Sequence, residues 1–230
     1  MTDIIIALDY ENDTDALALV DKIDPNMAKL KVGKEMFTRY GPSLVQQLHS
    51  REFKVFLDLK FHDIPNTVAK AIKASADLGV WMVNVHSSGG EKMMTAAKEA
   101  LHAYGKDAPL LIGVTVLTSL QQEDLTLVGI TNRLLDHTLS LAELAQKVGL
   151  DGVVCSAQEA QNIKNKLGQN FRLVTPGIRL SMDNSDDQKR VVTPLKAKEL
   201  GVDHMVIGRP ITQSDNPISV LEEIYHSINN

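Results

Sequence analysis

An α/β chain closed into a (β/α)8 TIM barrel is what this sequence predicts. Eight short apolar, β-rich runs alternate with amphipathic stretches, and no low-complexity segment or charged linker divides the chain. With 230 residues, 43% of them hydrophobic, the chain can bury a full core and has the length of one barrel domain, so a single domain spanning 1–230 is expected. Near-continuous apolar strands imply a sheet buried on both faces. Eight βα units in succession favour closure of that sheet over an open doubly wound arrangement.

The strands are expected at Ile4–Leu8, Met27–Val32, Lys54–Leu59, Met82–Val85, Leu110–Val116, Gly152–Cys155, Arg172–Val174 and His204–Ile207. Helical periodicity follows each in turn, at Thr14–Ile23, Lys34–His49, Thr67–Leu78, Glu91–Tyr104, Leu134–Val148, Ala157–Leu167, Pro194–Leu200 and Pro217–Ile228.

Composition removes several classes of function. A formal net charge of -5 argues against a broad basic surface, so neither nucleic acid nor an acidic membrane is an expected partner. The apolar run between Asp3 and Asp9 is too short for a signal-peptide core or a membrane span. One cysteine, Cys155, leaves no internal disulfide and no cysteine-rich zinc site; it lies in Val153-Val154-Cys155 and reads as a buried packing thiol. These features fit a reducing cytoplasm. No Gly-x-Gly-x-x-Gly follows the first strand and no Gly-x-x-x-x-Gly-Lys-Ser/Thr occurs, which argues against NAD or ATP chemistry. The seven histidines show no metal-binding spacing, so no metal is assigned. His62 and His86 are the two near strand ends, and His86 reads as a structural residue.

In a barrel, chemistry belongs at the carboxyl ends of the strands. Asp9 ends the first strand, Lys31 lies near the end of the second, Asp58 and Lys60 end the third, and Asp63 follows in the loop. Asp58 and Lys60 are two apart, hence on one strand face with Phe56 before them. If that face is the barrel interior, each charge needs an opposite partner. A structural salt bridge would also explain a lone Asp-x-Lys, but four charges converging on one barrel mouth read better as a site. The second cluster, Thr175-Pro176-Gly177-Ile178-Arg179 and Gly208-Arg209-Pro210-Ile211, follows strands seven and eight, where barrels hold phosphate. Glycine lets backbone N–H groups approach an anion, and arginine adds bidentate charge-assisted bonds. Arginines capping strand-end carbonyls are the alternative. The polar stretch 180–190 reads as a lid over the phosphate, with Gln188 able to reach the ligand.

Together, Ala7-Leu8-Asp9, Leu30-Lys31-Val32-Gly33, the run from Phe56 to Thr67 (Phe-Leu-Asp-Leu-Lys-Phe-His-Asp-Ile-Pro-Asn-Thr), Thr175-Pro176-Gly177-Ile178-Arg179 and Gly208-Arg209-Pro210-Ile211 closely resemble the orotidine 5'-phosphate decarboxylase family. Asp-x-Lys-x-x-Asp is shared across the wider superfamily, whereas the flanking Phe-His and Ile-Pro-Asn-Thr are characteristic of this family. The departures, Met36 where leucine is common and Glu52 where glycine is common, lie outside the site. The resemblance implies conversion of orotidine 5'-monophosphate to uridine 5'-monophosphate and CO2 without metal or organic cofactor. It implies Lys60 as proton donor to C6, Asp58 facing the departing carboxylate, Lys31 holding the network and touching ribose, and Asp63 completing it. It further implies Asp9 at the ribose, Thr118 and Ser119 at the pyrimidine region, Arg179, Gln188, Gly208 and Arg209 on the phosphate side, and Pro176 among the substrate-binding residues. Asp63 and Thr67 would reach the partner subunit's site in a homodimer. Two other readings stay open at this point: a related barrel acting on sugar phosphates with Mg2+, and a non-catalytic nucleotide-binding barrel.

Overall fold

A computed structural model describes residues 2–180 and 191–229. Eight parallel strands form a closed barrel in chain order: β1 (Asp3–Ala7), β2 (Lys29–Gly33), β3 (Val55–Phe61), β4 (Met82–His86), β5 (Leu110–Val114), β6 (Gly152–Val154), β7 (Arg172–Thr175) and β8 (His204–Ile207). Closure is made by β1, which pairs with β2 through Ile5↔Lys29 and with β8 through Asp3↔His204. The main helices of the outer layer are α1 (Asp13–Val20), α2 (Lys34–His49), α3 (Pro65–Asp77) and α4 (Gly90–Glu99). They continue with α5 (Gln122–Leu127), α6 (Leu134–Lys147), α7 (Ala157–Leu167), α8 (Pro194–Glu199), α9 (Arg209–Thr212) and α10 (Pro217–Asn229). The expected (β/α)8 barrel is therefore the observed fold.

Strand alternation divides the core in two. Ile5, Ala7, Phe56, Met82, Ile112, Val174 and Val206 point into the barrel and pack on one another. Their neighbours Ile4, Ile6, Leu8, Leu57, Val83, Leu173 and Ile207 point outward against the helices. Both faces are dry, which is why the strands read as unbroken apolar runs. Carried two residues further, the inward series turns polar: Asp9 after Ala7, Asp58 after Phe56, Asn84 after Met82. The barrel floor is thus apolar and its carboxyl-end layer is charged.

The helices start where local chemistry lets them. Asn12 caps α1 by accepting the Asp15 N–H at 2.8 Å, Pro65 occupies the first turn of α3, and Ser156 with Glu159 forms a capping box on α7. Two expected helices need correction, and two others were not expected. The stretch 34–49 is broken at Gly41 (φ 56), directly before Pro42, whose ring disfavours helical backbone at the residue it follows. The stretch 91–104 stops at Glu99 and gives way to a 3-10 segment, His102–Asp107, that bends at Gly105 (φ 54). Two short helices, α5 and α9, lie where the sequence suggested only loops. Among the strands, β3 runs on to Phe61, β2 starts at Lys29 and β5 ends at Val114. Glu52, at the position where glycine is common, takes φ 65.

Charged groups at the opposite end of the barrel are paired with one another. Asp3 accepts from Lys29 at 2.8 Å and lies 3.2 Å from His204, and Lys29 sits 5.1 Å from the Trp81 ring. Burial pushes the Asp3 carboxyl up, but the His204 and Lys29 contacts prevail and hold it at about 2. Lys164 is buried against Asp203 and two backbone carbonyls. In this fold charge at that face serves stability. Cys155 is fully buried, with Sγ 4.0 Å from Thr175 Oγ1, as a packing thiol should be. Among the described residues no helix is long and apolar enough to cross a membrane.

Candidate active site

Three strands bring four charges together at the carboxyl end of the barrel. Lys60 Nζ donates to Asp58 Oδ1 at 2.7 Å, and Lys31 Nζ lies 3.5 Å from Asp58 Oδ2 and 3.3 Å from Asp9 Oδ1. Asp58 therefore sits between two ammonium groups. Burial alone would raise its pKa, but the charges of Lys31 and Lys60 and hydrogen bonds from Lys60 and Asn84 outweigh it, so the carboxyl is held below the usual range. It is an anion at neutral pH. The Gly33 position leaves room for this array: a Cβ there would stand 3.1 Å from Lys31 Nζ and 3.4 Å from Asp9 Oδ1.

Asp58 and Lys60 meet as expected, but not through plain strand alternation. Lys60 has φ 51, one of two non-glycine residues with positive φ among those described, and the β3–β4 register shifts between Leu57↔Val83 and Phe61↔Val85. Left-handed backbone costs a side chain-bearing residue on the order of 1–2 kcal/mol. Asn84, fully buried on β4, spans this irregularity: its Oδ1 accepts the Lys60 N–H at 2.8 Å and its Nδ2 donates to Asp58 Oδ1 at 2.7 Å. The sequence reading passed over Asn84. The available signal was an amide at an inward position of an otherwise apolar strand, next to the Asp-x-Lys strand.

These charges form one wall of a cavity of about 440 Å³. It is lined by Asp9, Lys31, Asp58 and Lys60, by Thr118 and Ser119 beyond β5, by Pro176, Gly177 and Arg179 beyond β7, and by Gly208 and Arg209 beyond β8. Phe56, Val114, Val154, Val174 and Val206 supply an apolar base. Gly177 has φ 79, a backbone state that glycine adopts without steric cost and that turns the chain back along the rim. Arg179 is 7% exposed: Nη1 donates to the Ile178 carbonyl at 3.0 Å, while Nη2 is buried with no hydrogen-bond acceptor among the described residues. Ile178 pairs with Val192, and the Arg179 N–H donates to the Val192 carbonyl at 2.9 Å, so the chain on either side of 181–190 is clasped beside Arg179. Thr212 and Gln213, which the sequence reading did not single out, also line the cavity.

Two expected site residues lie elsewhere in this chain. Asp63 is exposed, its carboxylate accepting the Ile64 N–H at 2.6 Å, and Thr67 is exposed on α3; neither lines the cavity. Gln188 and the expected lid fall outside the described residues. His86 lies with its ring 5.4 Å from that of His62, and burial, His62, Lys60 and Lys34 together push its pKa down to about 4, so it is neutral at pH 7.

A cavity lined by acids, lysines and two arginines, at the carboxyl ends of barrel strands, suits a small anionic substrate that carries phosphate. The sequence model of the Orotidine 5'-phosphate decarboxylase / HUMPS family matches residues 2–224. The chain belongs to this family. An orotidine 5'-phosphate decarboxylase of Vibrio cholerae serotype O1 is 62% identical over 225 residues, covering 98% of this chain and 97% of that protein. One from Vibrio vulnificus is 60% identical over the same shares of both chains. Among solved structures, orotidine 5'-phosphate decarboxylase from Lactobacillus acidophilus is 36% identical, with a TM-score of 0.89 over 100% of both chains. An uncharacterized conserved protein from Geobacillus kaustophilus is 39% identical, with a TM-score of 0.85 over 98% of this chain and 100% of that one.

Proposed function

We propose that this chain, as one (β/α)8-barrel domain over 1–230, is an orotidine 5'-phosphate decarboxylase, forming uridine 5'-monophosphate and CO2 in the last step of de novo pyrimidine synthesis. The observation that carries the reading is the Lys31–Asp58–Lys60 array lining one cavity together with Arg179 and Arg209. The arginine side, with Gly208 and Pro176, takes the phosphate, Asp9 and Lys31 the ribose, and Thr118 and Ser119 the pyrimidine. C6 and its carboxylate then lie against Asp58 and Lys60.

The chemistry follows from where charge develops. The C6–carboxylate bond breaks, CO2 leaves, and the electron pair stays on C6, where the ring gives it little resonance help. A fixed ammonium beside C6 stabilises that charge and then delivers its proton, forming the C6–H bond and leaving neutral Lys60 to be reprotonated by solvent. Lys31 and Asp58 hold Lys60 in place. Both Asp58 oxygens are engaged, one by Lys60 and Asn84 and the other by Lys31, so the site is built for ammonium groups and not for a cation held by that carboxylate. No metal or organic cofactor enters this reading.

In excess EDTA, orotidine 5'-monophosphate mixed with purified protein is expected to lose its orotate absorbance rapidly with stoichiometric release of CO2. An unchanged spectrum would overturn the pyrimidine reading and direct attention to Mg2+-dependent sugar-phosphate chemistry on the same barrel.

The active form in this reading is a cytoplasmic homodimer. Asp63 and Thr67 are exposed and outside their own cavity, with Ile64 between them 67% exposed, which suits residues that complete a partner's site. Sedimentation at the concentrations used for assay should find a dimer. A fully active monomer would remove the role of Asp63 across an interface.

A further inference from the structure

We propose that Asn84 is a positioning residue for the Asp58–Lys60 pair, whose single amide both holds Lys60 in its left-handed backbone state and orients Asp58. The inference rests on the decarboxylase reading above. In a regular parallel pair, β3 and β4 would advance one residue for one. Here four steps along β3, from Leu57 to Phe61, stand against two along β4, from Val83 to Val85. Asn84 is the β4 residue opposite that excess. Its Oδ1 gives the Lys60 N–H the acceptor that a neighbouring strand carbonyl supplies in a regular ladder, at 2.8 Å, and the same amide donates through Nδ2 to Asp58 Oδ1 at 2.7 Å.

The two bonds act on different coordinates. The first keeps the positive φ of Lys60, which sets the direction in which its side chain leaves the strand. The second occupies the Asp58 oxygen that Lys60 also uses, which fixes the carboxylate plane and with it the point where Nζ rests. Asn84 is fully buried, and on β5 it is paired with Ile112, so water has no access to replace either bond. The charged groups around it are Asp58 and Lys60 on β3 and Lys31 on β2, with His86 two residues along β4. No residue with hydrogen-bonding capacity as small as alanine or as apolar as leucine can make both contacts, and aspartate can make both only while protonated.

The test uses Asn84→Leu and Asn84→Asp beside the unaltered chain, reading kcat for orotidine 5'-monophosphate, Kd for uridine 5'-monophosphate and the circular dichroism spectrum. Asn84→Leu is expected to lower kcat about 100-fold, the effect of misplacing a reacting group by around 1 Å, while Kd stays within about threefold. Asn84→Asp keeps the acceptor for the Lys60 N–H, and its introduced carboxyl donates to Asp58 only when protonated. Ionised, it repels Asp58. The ratio of its kcat to that of the unaltered chain should therefore fall as pH rises from about 5 to about 8, above the range in which His86 titrates. A residue that merely supports the strand would lower kcat and affinity together and give a pH-independent ratio. That result, or kcat within about twofold of the unaltered chain in Asn84→Leu, would overturn the proposal. If the unaltered chain itself shows no turnover, the decarboxylase reading fails and this inference with it, which is a different outcome from an active chain indifferent to Asn84.

Discussion

Lys60→Ala is expected to reduce turnover of orotidine 5'-monophosphate by at least about 10⁴-fold, while binding of uridine 5'-monophosphate remains measurable. Two contributions are lost together. A positioned general acid is worth roughly 10²–10⁴ in rate, and a preorganised charge at the atom where the electron pair appears is worth roughly 10²–10³ more. No neighbour takes over, because Lys31 faces Asp9 and the other oxygen of Asp58, and His86 is neutral at pH 7. The fold should survive. Asp58 keeps Lys31 at 3.5 Å and the Asn84 amide at 2.7 Å, and Lys60 itself is partly open to the cavity, its side chain 27% exposed. Arg179 and Arg209, which also line the cavity, are untouched. Single-turnover decay of orotate absorbance, with ligand affinity by calorimetry on the same preparation, checks both halves. Turnover within about tenfold of the unaltered chain would sink the assignment of Lys60.

The barrel was legible from the sequence because its two dry faces leave the strands as near-continuous apolar runs, and because Asp9, Lys31, Asp58 and Lys60 stand at or near strand ends where the fold builds sites. The features that escaped are those with no periodic or compositional trace. The helices α5 and α9 are each too short to show a 3.6-residue pattern. The kink in α2 does have a sign in the sequence, Gly41-Pro42, set within apolar periodicity on either side. The positive φ of Lys60 could not be anticipated, since that state is normally announced by glycine, and here it is held by a side chain from the next strand. Asn84 does leave a trace, an amide at an inward position of an apolar strand, but its contacts depend on a register shift that exists only once β3 and β4 pair. Asp63 and Thr67 are exposed and outside the lining of the cavity, so the geometry of this chain gives them no part in the site.

Arg179→Ala should weaken binding of uridine 5'-monophosphate by roughly a thousandfold, about 4 kcal/mol, and leave binding of uridine, which lacks the phosphate, nearly unchanged. The reason is the state of the guanidinium in the free chain. Nη1 is satisfied by the Ile178 carbonyl, while Nη2 of this cavity-lining residue is buried without an acceptor among the described residues. A buried charged donor in that condition is already desolvated, so a phosphate oxygen arriving there gains a charge-assisted bond without stripping water from the protein. Truncation removes that bond and leaves a void that water fills. The loss should extend to rate, because Arg179 sits on the Ile178↔Val192 bridge at the base of 181–190. Phosphate binding energy delivered at that point can be used to organise the distant C6 end of the substrate. Titrating both ligands against the variant separates a phosphate contact from a general loosening of the cavity. An unchanged affinity for uridine 5'-monophosphate would mean that the phosphate lies elsewhere. An equal loss for uridine would mean that Arg179 holds the wall and not the ligand.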